Sequence, residues 1–337
     1  MSLISGRADE AADQLFRKHE RWRGADDAYS IETRPGRTVW MMADGFVGRI
    51  GQPRQGSTFI NNSVGISEGT DPRTATLTMH WRDMAGTPTS YFMDDETRVW
   101  LWPGDGVMVG EHLLLFFSRL TNIDAAPPWN FASIGWTSRL VLNPQASPDS
   151  WQIARPQEPD LDVVAEVGFG AVLVHDDHLY AYAPHAEGGL LARWELGSLS
   201  AGRDLRALQW WTGSGWRSHL SGEKPVPVLG RVTEFSVHYE PRLDQFLMLE
   251  CTGMDHGVLV TRTASAPEGP WSEPHEVFVP AESGQSGRFL YAGKAHPHLT
   301  GAPLWATYVV NDHHPDRMVA DESIYYPRFV ALDFDGV

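Results

Sequence analysis

Two aspartates near the start of the chain, Asp26 and Asp44, have the residue type and spacing for acid–base chemistry. Ala28–Ile31 and Thr38–Met42 are short runs rich in β-branched and aromatic residues, and a Pro-Gly turn signal lies between them. An antiparallel hairpin would bring Asp26, before its first strand, beside Asp44, after its second. Two neighbouring carboxylates can divide the roles of acid and base, because like-charge repulsion keeps one of them protonated. The alternative is that both aspartates belong to ordinary solvated turns.

The rest of the chain predicts an all-β scaffold for this hairpin. Residues 8–22 carry the one strong helical period, and short strand-like runs separated by Gly, Pro, Asp or Asn clusters continue to residue 334. Four tryptophans follow turn-like sequences at intervals of 70, 65 and 55 residues: Trp81, Trp151, Trp216 and Trp271. These intervals fit four-stranded blades with long loops, which predicts a five-bladed β-propeller rather than a two-sheet sandwich.

This pattern also predicts how the chain is divided. We expect residues 1–24 to form an N-terminal helical extension and residues 25–337 to form a single propeller domain. The last strand, Tyr326–Phe334, is expected to pair into the first blade and close the ring. The inner strands of a propeller converge on a central channel, so carboxylates at their ends would face a funnel where ligands bind.

Composition restricts the class of partner. The 337 residues include 27 basic and 43 acidic ones, a formal net charge of −16, which argues against binding to nucleic acid or anionic membranes. The 32 glycines, 23 prolines and 14 tryptophans suit an all-β fold with a sugar-like ligand. Cys251 is the single cysteine, which excludes an intramolecular disulfide and a multi-cysteine zinc site. The start of the chain is polar and lacks a signal peptide, and no apolar run reaches the roughly 20 residues of a membrane span. We therefore expect a soluble protein, either cytoplasmic or secreted with its leader removed.

Eight short phrases carry a family resemblance. In chain order they are GADDAYSI, TVWMMADGFVG, FINNSVG, LWPGDG, APEGPWSEP, YAGKAHPHL, YVVND and YYPRFVAL. From Asp26 to Phe334 the chain resembles a bacterial domain of unknown function of the DUF4185 type, some members of which are endo-D-arabinanases of glycoside hydrolase family 183. The resemblance implies a furanosidase-like five-bladed propeller with catalytic carboxylates at Asp26 and Asp44. Asp27 stands where a small residue is expected, so either Asp26 or Asp27 could face the funnel; Asp26 is preferred.

The implied activity defines what a third carboxylate would do. Glycoside hydrolysis needs a protonated carboxyl group that donates to the leaving oxygen and a carboxylate that activates water or attacks the sugar. Glu234 begins a predicted inner strand of the fourth blade and is the candidate acid; a solvated edge-strand glutamate is the alternative. We expect inversion of configuration, which needs two carboxylates about 6.5–9.5 Å apart.

Polar and aromatic residues around these carboxylates are predicted to bind the sugar. The predicted set is Asn61, Asn62, Ser63, Trp102, Tyr291, His296, Asn311 and Arg328. Trp102 would be a stacking platform, with core packing as the alternative. Arg328 would hold one catalytic aspartate ionised, with a structural ion pair as the alternative.

Three other motifs carry no such prediction. Gly65–Gly69 matches the G-x-S-x-G nucleophile elbow, but that motif needs a following helix and a strand-like run follows here. The histidine pairs His296/His298 and His313/His314 are interpreted as ordinary polar residues. We expect neither a metal ion nor a cofactor.

The sequence thus predicts a glycoside hydrolase that cleaves furanosidic linkages of an arabinan-like pentose polymer, with a carbohydrate as its partner. One alternative is a non-catalytic propeller that binds carbohydrate or protein, with its aspartates neutralised by Arg or Lys. Another is a hydrolase or transglycosylase that acts on other sugars such as fructosides.

Overall fold

Five antiparallel sheets contain most of the strands. The computed structural model describes residues 3–125, 130–159, 168–220 and 222–334. Each of the five sheets has four or five strands and is one blade of a five-bladed β-propeller, so the predicted fold class is confirmed. The chain forms two compact units: unit 1 contains Met1–Phe92, Glu234–Thr263 and Ser272–Val337, and unit 2 contains Met93–Thr233 and Ala264–Trp271.

Unit 1 begins with a strand and a helix, and blade 1 follows. These first elements are β1 (Leu3–Ala8) and α1 (Glu10–Arg17). Blade 1 consists of β2 (Trp22–Arg34), β3 (Arg37–Val47), β4 (Thr58–Ile60), β5 (Ser63–Glu68) and β6 (Thr76–His80). A small separate hairpin consists of β7 (Arg82–Met84) and β8 (Thr87–Thr89).

Unit 2 contains blades 2 and 3. Blade 2 consists of β9 (Val99–Val109), β10 (His112–Asn122), β11 (Phe131–Val141) and β12 (Ile153–Ala154). Blade 3 consists of β13 (Ala171–His175), β14 (His178–Ala183), β15 (Leu190–Glu195), β16 (Gln209–Trp211) and β17 (Trp216–Arg217).

The remaining blades belong to unit 1. Blade 4 consists of β18 (Phe235–Glu240), β19 (Gln245–Thr252), β20 (Val258–Ala264) and β21 (His275–Phe278). Blade 5 contains β22 (Arg288–His296), β23 (Leu304–Asp312) and β24 (Pro327–Phe334), and the helix α2 (Pro315–Ala320) lies between the last two in sequence. In the described ranges no helix is long and apolar enough to cross a membrane.

The predicted hairpin forms blade 1. Strands β2 and β3 pair in antiparallel fashion, from Arg34 opposite Arg37 at the turn to Trp22 opposite Val47 at the far end. The strands are longer than predicted, because nearly every residue of β3 is buried and can therefore contribute apolar surface to the core.

Helix α1 is shorter than the predicted segment 8–22. The Asp9 side chain caps it by accepting a hydrogen bond from the Ala12 amide, 2.9 Å away. Its apolar side buries Phe16, whose ring stacks on Phe329 at 5.6 Å and meets Trp40 edge-on at 5.1 Å. The helix ends at Arg17 because the chain turns into β2, which takes up Trp22 as a strand residue.

Contrary to the expectation, the last strand does not pair into the first blade but has other partners. Strand β24 pairs with β23 and with the N-terminal strand β1, where Gly6 lies opposite Leu332. Blade 5 is therefore completed by the beginning of the chain, and β24 does not pair into blade 1. It follows that the predicted extension over residues 1–24 is not purely helical.

Candidate active site

Four acidic side chains and one lysine of unit 1 lie within electrostatic reach of one another. They are Asp26 and Asp27 on β2, Asp44 on β3, Glu234 directly before β18, and Lys294 on β22. We call these five residues the carboxylate cluster. Three of them are the residues that the sequence singled out as catalytic, and blades 1, 4 and 5 each contribute to the cluster.

An irregular backbone brings neighbouring residues of β2 to the cluster. Asp27 and Ala28 have φ angles of 65° and 107°, in the left-handed region that residues other than glycine rarely adopt. The register of β2 against β3 shifts on both sides of Asp27. A regular strand would send Asp26 and Asp27 to opposite faces, and the bulge allows both side chains to reach one site. Ala292 on β22 has a φ of 54°, next to another register shift, and strain of this kind concentrates at functional sites.

Two tyrosines hold one oxygen of Asp26. The hydroxyl groups of Tyr291 and Tyr325 donate to Asp26 Oδ2, at 2.7 Å and 3.3 Å. Burial raises the pKa of both phenols, so both remain donors. Among the described residues, the buried Asp26 Oδ1 has no hydrogen-bond partner. Burial, followed by repulsion from Asp44, Asp27 and Glu234, raises the pKa of Asp26 well above its ordinary value.

Asp27 is neutralised by Lys294. The ammonium group of Lys294 lies 2.5 Å from Asp27 Oδ1, and both side chains are at least 95% buried. The same nitrogen lies 4.1 Å from the centre of the Tyr29 ring, a cation–π contact. Burial raises the pKa of Asp27, and the lysine opposes that shift. Of the two adjacent aspartates, Asp27 is thus the one in an ion pair, and Asp26 interacts with phenols.

Glu234 is a second carboxyl group of the cluster whose pKa is raised, as that of Asp26 is. Burial is the largest cause that raises its pKa to about 8, and repulsion from Asp27 and Asp44 adds to it. Lys294 and the backbone amide of Ala292, which donates to the carboxyl group, lower the pKa by less. A carboxylic acid that keeps its proton at pH 7 can serve as a general acid.

Two predicted sugar-binding asparagines lie beside the cluster. Asn61 donates from Nδ2 to Asp44 Oδ1 at 3.1 Å, and Asn311 donates from Nδ2 to the Tyr291 hydroxyl oxygen at 3.1 Å. Both asparagines are partly exposed, and so are Asp26 and Asp44. The site therefore presents polar groups to solvent next to its buried carboxyl groups.

Three predicted sugar-binding residues are buried and serve the packing of unit 1 instead. Asn62 is fully buried, and its amide group bonds to the backbone N–H and C=O of Phe92. Ser63 is also fully buried. His296 is fully buried, and its ring nitrogens bond to Ser30 Oγ at 2.6 Å and Thr307 Oγ1 at 2.9 Å. Both ring nitrogens are therefore bonded within unit 1, and the structure does not bring His296 to the carboxylate cluster.

Arg328 forms a structural ion pair, the alternative given for it above. Its guanidinium donates to Glu282 Oε1 at 2.5 Å and to the Ser323 carbonyl at 3.0 Å. The predicted pairing with a catalytic aspartate is therefore wrong. Trp102 lies on β9 of unit 2, where its partly exposed ring meets Phe131 edge-on at 4.8 Å, and its role as a sugar platform stays a prediction.

Sequence reasoning missed two members of the site, Lys294 and Tyr325. Both residues lie in phrases of the family resemblance, YAGKAHPHL and YYPRFVAL, but the spacing of neither residue marks a site, because each is brought in from a distant part of the chain. In the described parts of the chain, no three His, Cys, Asp or Glu side chains form a group that could hold a metal ion.

Solved structures share the fold of this chain. A candidate hydrolase from Bacteroides ovatus has a TM-score of 0.76 at 15% identity, over 97% of this chain and 90% of its own. An alpha-L-arabinofuranosidase from Lactobacillus brevis has a TM-score of 0.54 at 12% identity, over 96% and 95% of the two chains. The catalytic domain of a GH62 alpha-L-arabinofuranosidase from Coprinopsis cinerea has a TM-score of 0.51 at 12% identity, over 98% and 95%. These similarities establish the fold.

Sequence comparison gives the family. No curated protein matches the chain. The matching family profile is that of DUF5005, a domain of unknown function, and the more specific resemblance to the DUF4185 type is not confirmed. Because the profile covers residues 9–333, this chain belongs to the DUF5005 family.

Proposed function

We propose that this protein is a glycoside hydrolase that cleaves furanosidic linkages of a pentose polymer, with arabinan as the first candidate. The observation that carries the proposal is that Glu234, Asp26 and Asp44 lie near enough for their charges to interact, in one partly buried site. The presence of acid and base in one site is what glycoside hydrolysis requires. The shared fold with two alpha-L-arabinofuranosidases favours a furanose as the sugar.

In this proposal Glu234 is the general acid. Its proton, retained up to a pH of about 8, passes to the glycosidic oxygen as the bond to the anomeric carbon breaks. The leaving sugar departs as a neutral alcohol, and Glu234 becomes a carboxylate. The nearby Lys294 and the Ala292 amide stabilise the negative charge that appears there.

Asp26 is the proposed base. Burial raises the pKa of Asp26, which makes its carboxylate a stronger base; the phenols on Oδ2 favour the ionised form, and repulsion from Glu234 is absent while Glu234 holds its proton. Among the described residues Oδ1 has no hydrogen-bond partner, and it is the atom proposed to accept a proton from the attacking water. Attack of that water on the face opposite the leaving group gives inversion, the outcome we expect.

Asp44 is proposed to adjust the pKa values of Asp26 and Glu234. Its charge raises the pKa of both Asp26 and Glu234, and Asn61 orients it by donating to Oδ1. An electrostatic neighbour of this kind keeps the proton on the acid until the sugar takes it.

A half-exposed phenylalanine extends this site. Phe59 on β4 is 47% exposed and packs edge-on against Phe46 of β3, with ring centres 5.1 Å apart. Asn61, two residues further along and just past the end of β4, donates to Asp44. An exposed aromatic face beside polar groups is suited to stacking on a sugar ring. Phe59 is therefore our proposed platform in unit 1.

A non-catalytic binding propeller is less consistent with these contacts. That alternative expects the aspartates to be neutralised by Arg or Lys, and Lys294 does this for Asp27. Asp26, in contrast, bonds to two neutral phenols.

The proposal is tested by release of reducing ends from α-D-arabinan, α-L-arabinan, xylan and fructan. The wild type is compared with Asp26→Asn and Glu234→Gln, and with Asp149→Asn as a matched control on an exposed turn of unit 2. We expect cleavage of an arabinan, with losses of about 10²–10⁴-fold in the two site variants and none in the control. Absence of cleavage of every polymer by a folded wild type would favour the binding propeller, and cleavage of fructan alone would favour the fructoside alternative.

A further inference from the structure

A fully buried arginine connects the two segments that carry Asp26 and Tyr325. Arg54 lies in the loop between β3 and β4 and is 0% exposed. Its guanidinium donates to the Arg23 carbonyl through Nε at 2.7 Å and to the Ile324 carbonyl through Nη2 at 2.7 Å. Arg23 is three residues before Asp26, and Ile324 directly precedes Tyr325. One side chain thus holds both segments at once.

The same guanidinium also fixes the chain that leads to Tyr325. Its Nη1 donates to the carbonyls of Met318 at 2.6 Å and Asp321 at 3.0 Å. The Arg54 backbone amide donates to Glu322 Oε1 at 2.5 Å. A buried charge needs full hydrogen bonding to be tolerated, and these carbonyls supply it.

The backbone around Tyr325 is strained and closely packed. Tyr325 has a φ of 63°, a strained conformation for a residue other than glycine, and it persists only where the surroundings impose it. Gly24 passes so near that a Cβ atom there would lie 2.2 Å from the Tyr325 carbonyl oxygen. The Arg54 guanidinium carbon lies 5.9 Å from the centre of the Tyr325 ring and 5.8 Å from that of Phe46. The guanidinium therefore packs near the ring as well as the backbone.

We infer that Arg54 is a positioning residue that sets the Tyr325 hydroxyl on Asp26 by holding the β2 segment and the 318–324 segment together. The inference rests on the proposed function of Asp26 as the base. The fork of the guanidinium reaches carbonyls in two directions, and a lysine ammonium in its place would keep the charge but lose this geometry. With Tyr325 displaced, the Asp26 carboxylate loses a donor and binds its proton more tightly.

Asp26 also interacts with groups other than Tyr325. Tyr291 donates to the same oxygen, and Asp27, Asp44 and Glu234 repel its charge. The test must therefore isolate the contribution that passes through Tyr325. A double-mutant cycle does this, because two residues that act through one contact give non-additive effects.

The experiment is a carboxyl carbon-13 NMR titration of Asp26, assigned by comparison with Asp26→Asn. The wild type, Arg54→Lys, Tyr325→Phe and the double variant are titrated, with Arg37→Lys as a control because Arg37 is a buried arginine of blade 1 that pairs with Glu68. We expect the Asp26 midpoint to rise in both single variants and to rise no further in the double variant than in Tyr325→Phe. The control should match the wild type.

A second variant keeps the test valid if Arg54→Lys does not fold. Glu322 is exposed, and Glu322→Ala removes only the acceptor of the Arg54 backbone amide. We expect a smaller rise of the same sign. An unchanged Asp26 midpoint in the Arg54 or Glu322 variant, or additive shifts in the cycle, would overturn the inference.

Activity measurements separate this inference from the proposed function. If an arabinan is cleaved, we expect kcat to fall by about 10²-fold in Arg54→Lys, with a small change in KM. If no glycan is cleaved by the wild type but the NMR cycle is non-additive, the proposed function fails and the positioning role of Arg54 stands.

Discussion

The distribution of charge among the five cluster residues explains why neighbouring carboxyl groups have different roles. Asp27 forms an ion pair with Lys294, and Asp26 accepts hydrogen bonds from phenols. Glu234 keeps its proton because burial and repulsion both raise its pKa. The predicted hairpin and the family resemblance together led to the prediction of Asp26, Asp44 and Glu234 as the acidic residues of a site. They could not predict Lys294, because the ion pair forms only when β22 lies beside β2.

The Lys294–Asp27 pair leads to a stability prediction. Lys294→Met leaves a buried, uncompensated carboxylate, so we expect a loss of about 3–5 kcal/mol in the free energy of unfolding, measured by urea denaturation. Adding Asp27→Leu should recover most of the loss, since the lone charge is then removed. A single variant as stable as the wild type would contradict the buried ion pair.

Glu234 leads to a prediction about stability against pH. Its pKa is about 8 in the folded protein and near 4.5 when unfolded, so the folded state binds the proton more tightly. The contribution of Glu234 to stability is complete below pH 4.5 and is lost as the pH rises towards 8. Glu234→Gln lacks this loss, so its melting temperature should exceed that of the wild type more at pH 9 than at pH 5. An equal difference at both pH values would contradict the raised pKa.

At the scale of elements, irregular strands position the side chains of the site. The alternating and β-branched runs were sufficient to predict the β2–β3 hairpin. They could not predict the bulge at Asp27, since its left-handed φ is imposed by neighbouring strands. Strand β22 carries Tyr291 and Lys294, and its sequence lacks the alternation of a strand because Gly293 interrupts it.

Strand β4 provides a prediction on substrate binding. If Phe59 is a sugar platform, Phe59→Ala should raise KM for polymeric substrate by about 2–13-fold, since loss of an aromatic stacking contact costs about 0.5–1.5 kcal/mol. The effect on kcat should be small, and Phe59→Tyr should retain the wild-type KM. Ile50→Ala, at another exposed apolar residue of unit 1, is the control. A change confined to kcat would assign Phe59 a different role.

At the scale of the whole molecule, the tryptophan intervals predicted the number of blades. Trp81 directly follows β6, Trp151 precedes β12, and Trp216 begins β17, so these residues mark outermost strands. The intervals could not show which end of the chain completes blade 5. The sequence of β1, LISGRA, is short and contains Gly6, so it lacks the pattern of a strand.

Pairing between β1 and β24 leads to a prediction on overall stability. A Cβ atom at Gly6 would lie 2.7 Å from Val330 and 2.8 Å from Leu332, so Gly6→Val should destabilise the protein by about 1–3 kcal/mol. Gly197→Val is the control, because a Cβ atom there has no neighbour within 4 Å. The comparison uses the midpoints of urea denaturation, and equal midpoints would contradict the closure of blade 5 by β1.

The central claim is that Glu234 supplies the proton to the leaving sugar. The most direct measurement compares the wild type with Glu234→Gln on arabinan and on a nitrophenyl arabinofuranoside, whose leaving group needs no proton. We expect kcat on arabinan to fall by about 10²–10⁴-fold and kcat on the aryl substrate to change little. We also expect wild-type activity to decline above a pH of about 8, as Glu234 loses its proton, and this decline to be absent in the variant on the aryl substrate. Equal losses on both substrates, or an unchanged alkaline decline in the variant, would contradict the assignment of Glu234 as the acid.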